Sequence, residues 1–254
     1  MRGYVAFLKK EWMESVRSYR LLILGIAFLF FGITSSLMAK LLPEIIGSMD
    51  MQGMELIIPD PTAMDAYTQF YKNTTQMGSI VMLLVFSGVL SAELSKGTLI
   101  NVLTKGLSRT SVVLAKYTMM AMLWTIVYSG AASINYGYTK FLFPEDTLPH
   151  IFYAYVTFWV FGLFLLALLL LGSALFSGSY SGLIFTVAVV IVLMLIGMVP
   201  KLSDYNPLTL ASVNTSLLDG SVKIGDTRST MAITIGGTVA AVLGTVIRFR
   251  KRAV

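Results

Sequence analysis

The sequence predicts an all-α integral membrane protein, with six transmembrane helices preceded by an amphipathic helix lying in the membrane interface. Three observations carry this. Of 254 residues, 56% are hydrophobic and 13% are charged, whereas an ordinary soluble domain has roughly 25% charged residues. A soluble core of this length cannot hide so much apolar surface. The ionisable residues leave charge-free runs of membrane-spanning length. Lys and Arg also fall unevenly on the two sides that such runs define.

A spanning helix needs about 20 apolar residues. Arg20 to Lys40 encloses 19 residues without a charge, Lys72 to Glu93 encloses 20, Lys116 to Lys140 encloses 23 and Arg228 to Arg248 encloses 19. The run from His150 to Lys201 encloses 50 and is broken near its middle by the Gly- and Ser-rich stretch Gly172 to Gly182, a turn signal. The expected spans are residues 21–42, 74–92, 112–134, 151–171, 182–199 and 229–247, forming one domain over 21–247. Five spans, with 151–200 partly re-entrant, are the alternative. Six spans put both termini on one side, with 93–116 and the Gly/Ser turn. That side carries 13 of the 19 Lys and Arg and 3 of the 13 acids. The positive-inside rule therefore places it in the cytoplasm, which in a bacterium makes this a multi-pass protein of the cytoplasmic membrane. The basic start resembles that of a signal peptide, but its apolar run is too long and no small-residue cleavage site follows, so it is read as retained.

Along the chain, residues 1–20 form the first element. Tyr4, Leu8, Trp12 and Val16 recur every four residues, while Arg2, Lys9, Lys10, Arg17 and Arg20 lie mostly on other faces. This is the pattern of an interfacial helix; a cytoplasmic extension of the first span is the alternative. Residues 43–73 are an acidic outer loop in which the stretch MDAYTQFY could form a short surface helix. Residues 136–149 and 201–228 are further outer loops, the second long enough to pack back over the bundle. Residues 248–254 form a basic cytoplasmic tail.

Several chemistries are missing. The chain has no Cys and one His, His150, which excludes disulfides, thiolate sites and an H-E-x-x-H metal pair. His150 stands at a helix mouth and reads as an interface residue. The charge-free runs hold none of the ionisable groups that proton- and ion-coupled carriers keep at membrane depth. No G-x-x-x-x-G-K-[ST] phosphate loop occurs. The net charge of +6 would suggest nucleic acid in a soluble protein, but its distribution here follows membrane topology, so no nucleic-acid partner is expected. The chain is expected to be no enzyme and to bind no metal or cofactor. Any uphill transport must draw its energy from a partner.

The polar chemistry concentrates in Ser91 to Lys116. Glu93 ends the second span. Gly97 permits a sharp turn, after which Thr98 can cap a short helix. Leu99, Val102 and Leu103 give that helix an apolar face. Gly106 and Ser108 break it, and Arg109 and Lys116 lead into the third span. Such an element can serve as a docking surface.

Glu93, Gly97-Thr98-Leu99, Leu103, Ser108-Arg109 and Lys116 resemble the E-x-x-x-G-T-L…L…S-R…K signature of ABC-2 type transporter permeases. The N-terminal helix resembles that family's elbow helix. Many members carry Pro before the S-R pair where this chain has Gly106, which implies a softer hinge. The resemblance implies that 93–111 is the coupling helix of a transmembrane subunit without a fused ATPase. Two copies, or one copy and a homologue, would join two cytoplasmic ATP-binding subunits, and those partners would bind ATP and Mg. Leu99, Val102 and Leu103 would be the docking anchors, with Glu93 and Arg109 fixing their orientation. A hydrophobic or amphipathic cargo (peptide, lipid or drug) would be exported along a path for which Thr125, Tyr128, Ser129, Thr234 and Thr238 are candidates. The competing classes are a mechanotransmitting subunit that moves nothing itself, and a membrane scaffold or assembly factor.

Overall fold

A computed structural model describes residues 2–47, 60–95, 97, 99, 104 and 106–251. All regular structure among them is helical. Five stretches among the described residues are long and apolar enough to cross a membrane: Arg20–Leu42, Ala63–Leu94, Arg109–Leu142, Ile151–Leu175 and Ile224–Lys251. The protein is an all-α integral membrane protein.

Helix α1 (Arg2–Arg17) is separated from α2 (Arg20–Gly47) by a tight turn. Tyr19 has φ 59° there, a left-handed conformation that redirects the chain within two residues. The second membrane helix is compound. It comprises α3 (Ala63–Asn73), a π-helical turn over Thr74–Gly78, α4 (Ser79–Phe86) and α5 (Ser91–Ser95). Helix α3 corrects the expectation of a solvated outer loop over 43–73. Asp65 accepts from the Thr62 amide at 2.9 Å and starts the helix. Ala63, Ala66, Tyr67, Phe70 and Tyr71 then form its buried face, so the stretch expected on the surface is the buried first part of a 32-residue helical stretch.

Helix α6 (Arg109–Leu142) also outruns its expected bounds of 112–134, and with α7 (Ile151–Leu175) it forms the centre of the bundle. The sequence of α7 is apolar on every side, as a helix enclosed by neighbours must be, and 78% of its apolar stretch is buried. Trp124 of α6 lies fully inside, between Phe28 at 5.3 Å and Tyr128 at 4.9 Å between ring centroids. Its indole occupies the space over Gly162, where a Cβ would collide with it.

Helix α8 (Ser181–Gly197) has 17 residues and is equally apolar, yet it buries only Ser181, Gly182 and Thr186. Its start is tied to α5, since the Ser91 hydroxyl donates to the Ser179 carbonyl at 2.7 Å. Beyond it, short helices α9 (Pro200–Ser203), α10 (Thr209–Ser212) and α11 (Asn214–Leu218) pack on the opposite end of the bundle. Asn214 donates there to the Ala154 carbonyl at 2.8 Å, and Thr75 to the Ala211 carbonyl at 3.4 Å. The start of α8 therefore packs on the last turns of α7, where Phe185 lies over Gly172, and the chain that follows α8 reaches the first turn of α7 at Ala154. Helix α12 (Arg228–Lys251) closes the bundle against α7 and runs into the segment expected as a basic tail, of which 252–254 lie outside the described residues.

Candidate functional site

The segment between the second and third membrane helices is held by charges from α1. Glu11 lies on the face of α1 that carries Phe7 and Ser15, four residues to either side, and all three are buried. Lys116, two turns past the start of α6, is 1% exposed; its Nζ donates at 3.0 Å to both carboxylate oxygens of Glu11. The same ammonium stands 2.6 Å from Glu93 Oε2. Lys10 Nζ completes the knot, at 2.6 Å from Glu93 Oε1, 2.7 Å from Glu14 and 3.0 Å from Glu11. The ring of Phe7 lies 5.2 Å from the Lys10 ammonium and 5.7 Å from that of Lys116, within cation–π range.

Among the described residues, three carboxylates of the knot face two ammonium groups. Burial alone would lower the Lys10 pKa. Hydrogen bonds to Glu14 and Glu93, with the charges of Glu11 and Glu93, outweigh it and hold Lys10 well above the ordinary lysine value. Carboxylate oxygens of Glu11, Glu14 and Glu93 lie within 4.8 Å of one another, a spacing that suits a cation, and the two lysine ammonium groups already fill that role.

The knot lies beside the expected apolar stripe and corrects one expectation. Tyr4, Leu8 and Trp12 of the stripe touch the core, whereas Val16 is 46% exposed. Tyr4 also donates to Thr118 on α6 at 2.9 Å. Lys116, expected as a boundary charge in front of a charge-free span, is instead a buried partner of Glu11.

The remaining residues of the segment divide. Gly97 and Gly106 have φ of 66° and 87°. Nothing lies near the Cβ position of Gly106, so its glycine serves backbone geometry rather than space. Ser108 caps α6, its Oγ accepting from the Ser111 amide at 3.1 Å. Arg109 donates at 3.1 Å to the carbonyls of Phe249 and Arg250 in the last turn of α12, where a cation meets the negative helix end. Arg250 returns two bonds to Thr110. Leu99, expected on a face offered to a partner, is 1% exposed and belongs to the chain's own core. An apolar residue just after a glycine turn has its own bundle beside it, and burial there removes it from water. Thr98, Val102 and Leu103 lie outside the described residues.

Sequence reasoning missed Glu11, Glu14, Lys10, Phe7 and Ser15. A signal existed: the three acids on the strongly basic side are Glu11, Glu14 and Glu93, and all three converge in the knot. Of the candidate path residues, Thr125, Tyr128 and Ser129 line one groove between α6 and α7. Thr234 and Thr238 lie on α12 and bond the carbonyls of Thr230 and Thr234 in their own helix.

No protein-family model matches the chain. It is similar to an uncharacterized transmembrane protein, YxlG of Bacillus subtilis (strain 168), at 21% identity over 178 residues, covering 69% of each chain. With the apolar helices described above, this similarity identifies a multi-pass membrane protein.

Proposed function

We propose that the chain is the membrane-embedded permease subunit of an ATP-driven transporter of the ABC-2 type. It spans the bilayer six times with both termini in the cytoplasm, and 93–111 receives the push of a separate ATP-binding subunit. The observation that carries this reading is mechanical. Both flanks of the segment are fastened to other helices: Glu93 and Lys116 to α1 through the knot, and Arg109 to the last turn of α12. A force applied to the segment would move α1, α5, α6 and α12 together. Buried ion pairs resist being pulled apart, because separation leaves an uncompensated charge in a poor solvent.

A six-span arrangement is supported by α8, because the chain leaves the end of α7 at Ser179 and is back at its start by Asn214, with α8 between them. Its 17 residues span about 26 Å at 1.5 Å each, close to the roughly 30 Å hydrocarbon core. The cargo would be hydrophobic or amphipathic, since the groove lined by Thr125, Tyr128 and Ser129 is largely apolar.

The test uses the absence of cysteine. Thr104 is exposed within the segment, and Thr104→Cys supplies a single thiol. Cross-linking of that thiol to an ATP-binding subunit, with ATP hydrolysis stimulated by the complete complex, is the expected result. If no ATP-binding subunit associates with the wild-type chain, the scaffold reading replaces this one.

A further inference from the structure

We propose that the groove between α6 and α7 holds one acyl chain of a zwitterionic phospholipid drawn from the bilayer, with its headgroup at Lys140 and Asp146. This does not depend on ATP-driven transport. The groove has a volume of about 620 Å³, within the range of about 300–1,000 Å³ usual for small-molecule sites. It persists because α6 presents Ser129, Ala132 and Ser133 to α7, side chains too small to fill the gap. One turn nearer the segment, Trp124 fills the equivalent space against Gly162. The hydroxyl of Thr125 is already engaged, donating to the Ala121 carbonyl at 2.7 Å and accepting from Trp159 Nε1 at 3.0 Å. That end of the groove therefore presents little free polarity to a hydrocarbon chain.

Length points to a lipid tail. From Thr125 to Tyr136 the wall runs along α6 for about 16 Å at 1.5 Å rise per residue. That is the depth of one leaflet, half of a hydrocarbon core of about 30 Å. Tyr136 stands at the end toward Lys140 and Asp146, where an aromatic side chain is common at the membrane boundary.

Charge points to the headgroup. Tyr136, Leu148 and Ile151 also line a second cavity of about 180 Å³ that includes Lys140 and Asp146. Lys140 gives one hydrogen to the Pro144 carbonyl at 3.1 Å, and Asp146 Oδ2 takes the Ala63 amide at 2.7 Å. An ammonium has three donors and a carboxylate about four acceptor positions, so both retain capacity. A headgroup with a phosphate and an ammonium matches this pair. A purely anionic headgroup would meet the repulsion of Asp146.

The test is native mass spectrometry of the full chain in mild detergent, incubated with equal phosphatidylethanolamine and phosphatidylglycerol. The wild type should retain one phosphatidylethanolamine about tenfold in preference to phosphatidylglycerol, a difference of about 1.4 kcal/mol. Ser133→Trp fills the groove from an exposed position and should abolish retention, while Val239→Trp on the exposed face of α12 should not. Lys140→Gln with Asp146→Asn should keep the lipid and erase the preference. Should Ser133→Trp fail to fold, that headgroup pair decides. Equal retention of both lipids by the wild type, retention by Ser133→Trp, or no retained lipid overturns the proposal.

Discussion

Glu11 and Lys116 meet at 3.0 Å through both carboxylate oxygens, with the Glu11 side chain fully buried and Lys116 1% exposed. They join the N-terminal helix to the first turns of the third membrane helix. Removing one partner of such a pair strands the other charge, which typically costs about 3–5 kcal/mol. Lys116→Met should therefore lower the unfolding temperature of the purified protein sharply. Adding Glu11→Leu removes one charge of each sign and leaves the net charge of the knot unaltered. The double variant should recover most of the loss. Thermal unfolding of the four proteins closes a double-mutant cycle; a double variant as unstable as the sum of the singles would show that the two residues act independently.

Lys10 carries a pH dependence whose sign is fixed by its raised pKa. A lysine that gains partners on folding stabilises fully below its unfolded value of about 10.4 and loses that contribution as pH rises through the native value. The deficit of Lys10→Gln relative to wild type should be the same at pH 7 and pH 9, and shrink only in strongly alkaline buffer. Unfolding measured across that range checks it. A deficit that vanished between pH 7 and pH 9 would contradict the geometry around Lys10.

Much of this fold was legible in the sequence, because a bilayer imposes length and charge rules on every crossing. Runs bounded by Arg20, Lys72, Lys116 and Arg228 located helices that the structure contains. Helix α3 was read only as a short surface helix in a loop because Asp65 and Lys72 flank its stretch, although Ala63, Ala66, Tyr67, Phe70 and Tyr71 already stood at helical spacing for a buried face. The knot was only half legible. Glu93 and Lys116 stood out, whereas Glu11 was hidden in a helix whose apolar stripe suggested a different face. Which face packs depends on a partner 105 residues away, and periodicity within one helix carries no information about that partner. The burial of Leu99 was illegible for the same reason.

Two glycines should respond in opposite directions. At Gly162 any Cβ meets the Trp124 indole, whereas at Gly25 nothing lies within 4 Å. Gly162→Ala should destabilise by about 1–3 kcal/mol, the usual range for overpacking. Gly25→Ala, in mid-helix, should be neutral or stabilising by up to about 1 kcal/mol through helix propensity alone. Thermal unfolding in one detergent compares them directly, and equal losses at both positions would show that the indole is not seated over Gly162.

The number of crossings turns on α8. It is shorter than the five other stretches, the shortest of which has 23 residues, and its 17 residues carry no charge. One end lies beside α5 through Ser91 and Ser179; the chain beyond the other packs through Asn214 on the far end of α7. Between these two points the chain passes from one end of α7 to the other, and α8 is the long helix in that path. Six crossings place Asp60 and Asp219 on one side of the membrane, and Thr104, Tyr180 and the C-terminal turn of α12 on the other. Basic residues concentrate on the second side, which should face the cytoplasm. The chain lacks cysteine, so single substitutions at these positions report topology without background. Asp60→Cys and Asp219→Cys should react with a membrane-impermeant maleimide in intact cells. Thr104→Cys, Tyr180→Cys and Lys251→Cys should react only after permeabilisation. With five crossings the C-terminal position would change sides relative to Thr104. External labelling of Lys251→Cys with Thr104→Cys protected would therefore remove α8 from the membrane-crossing set.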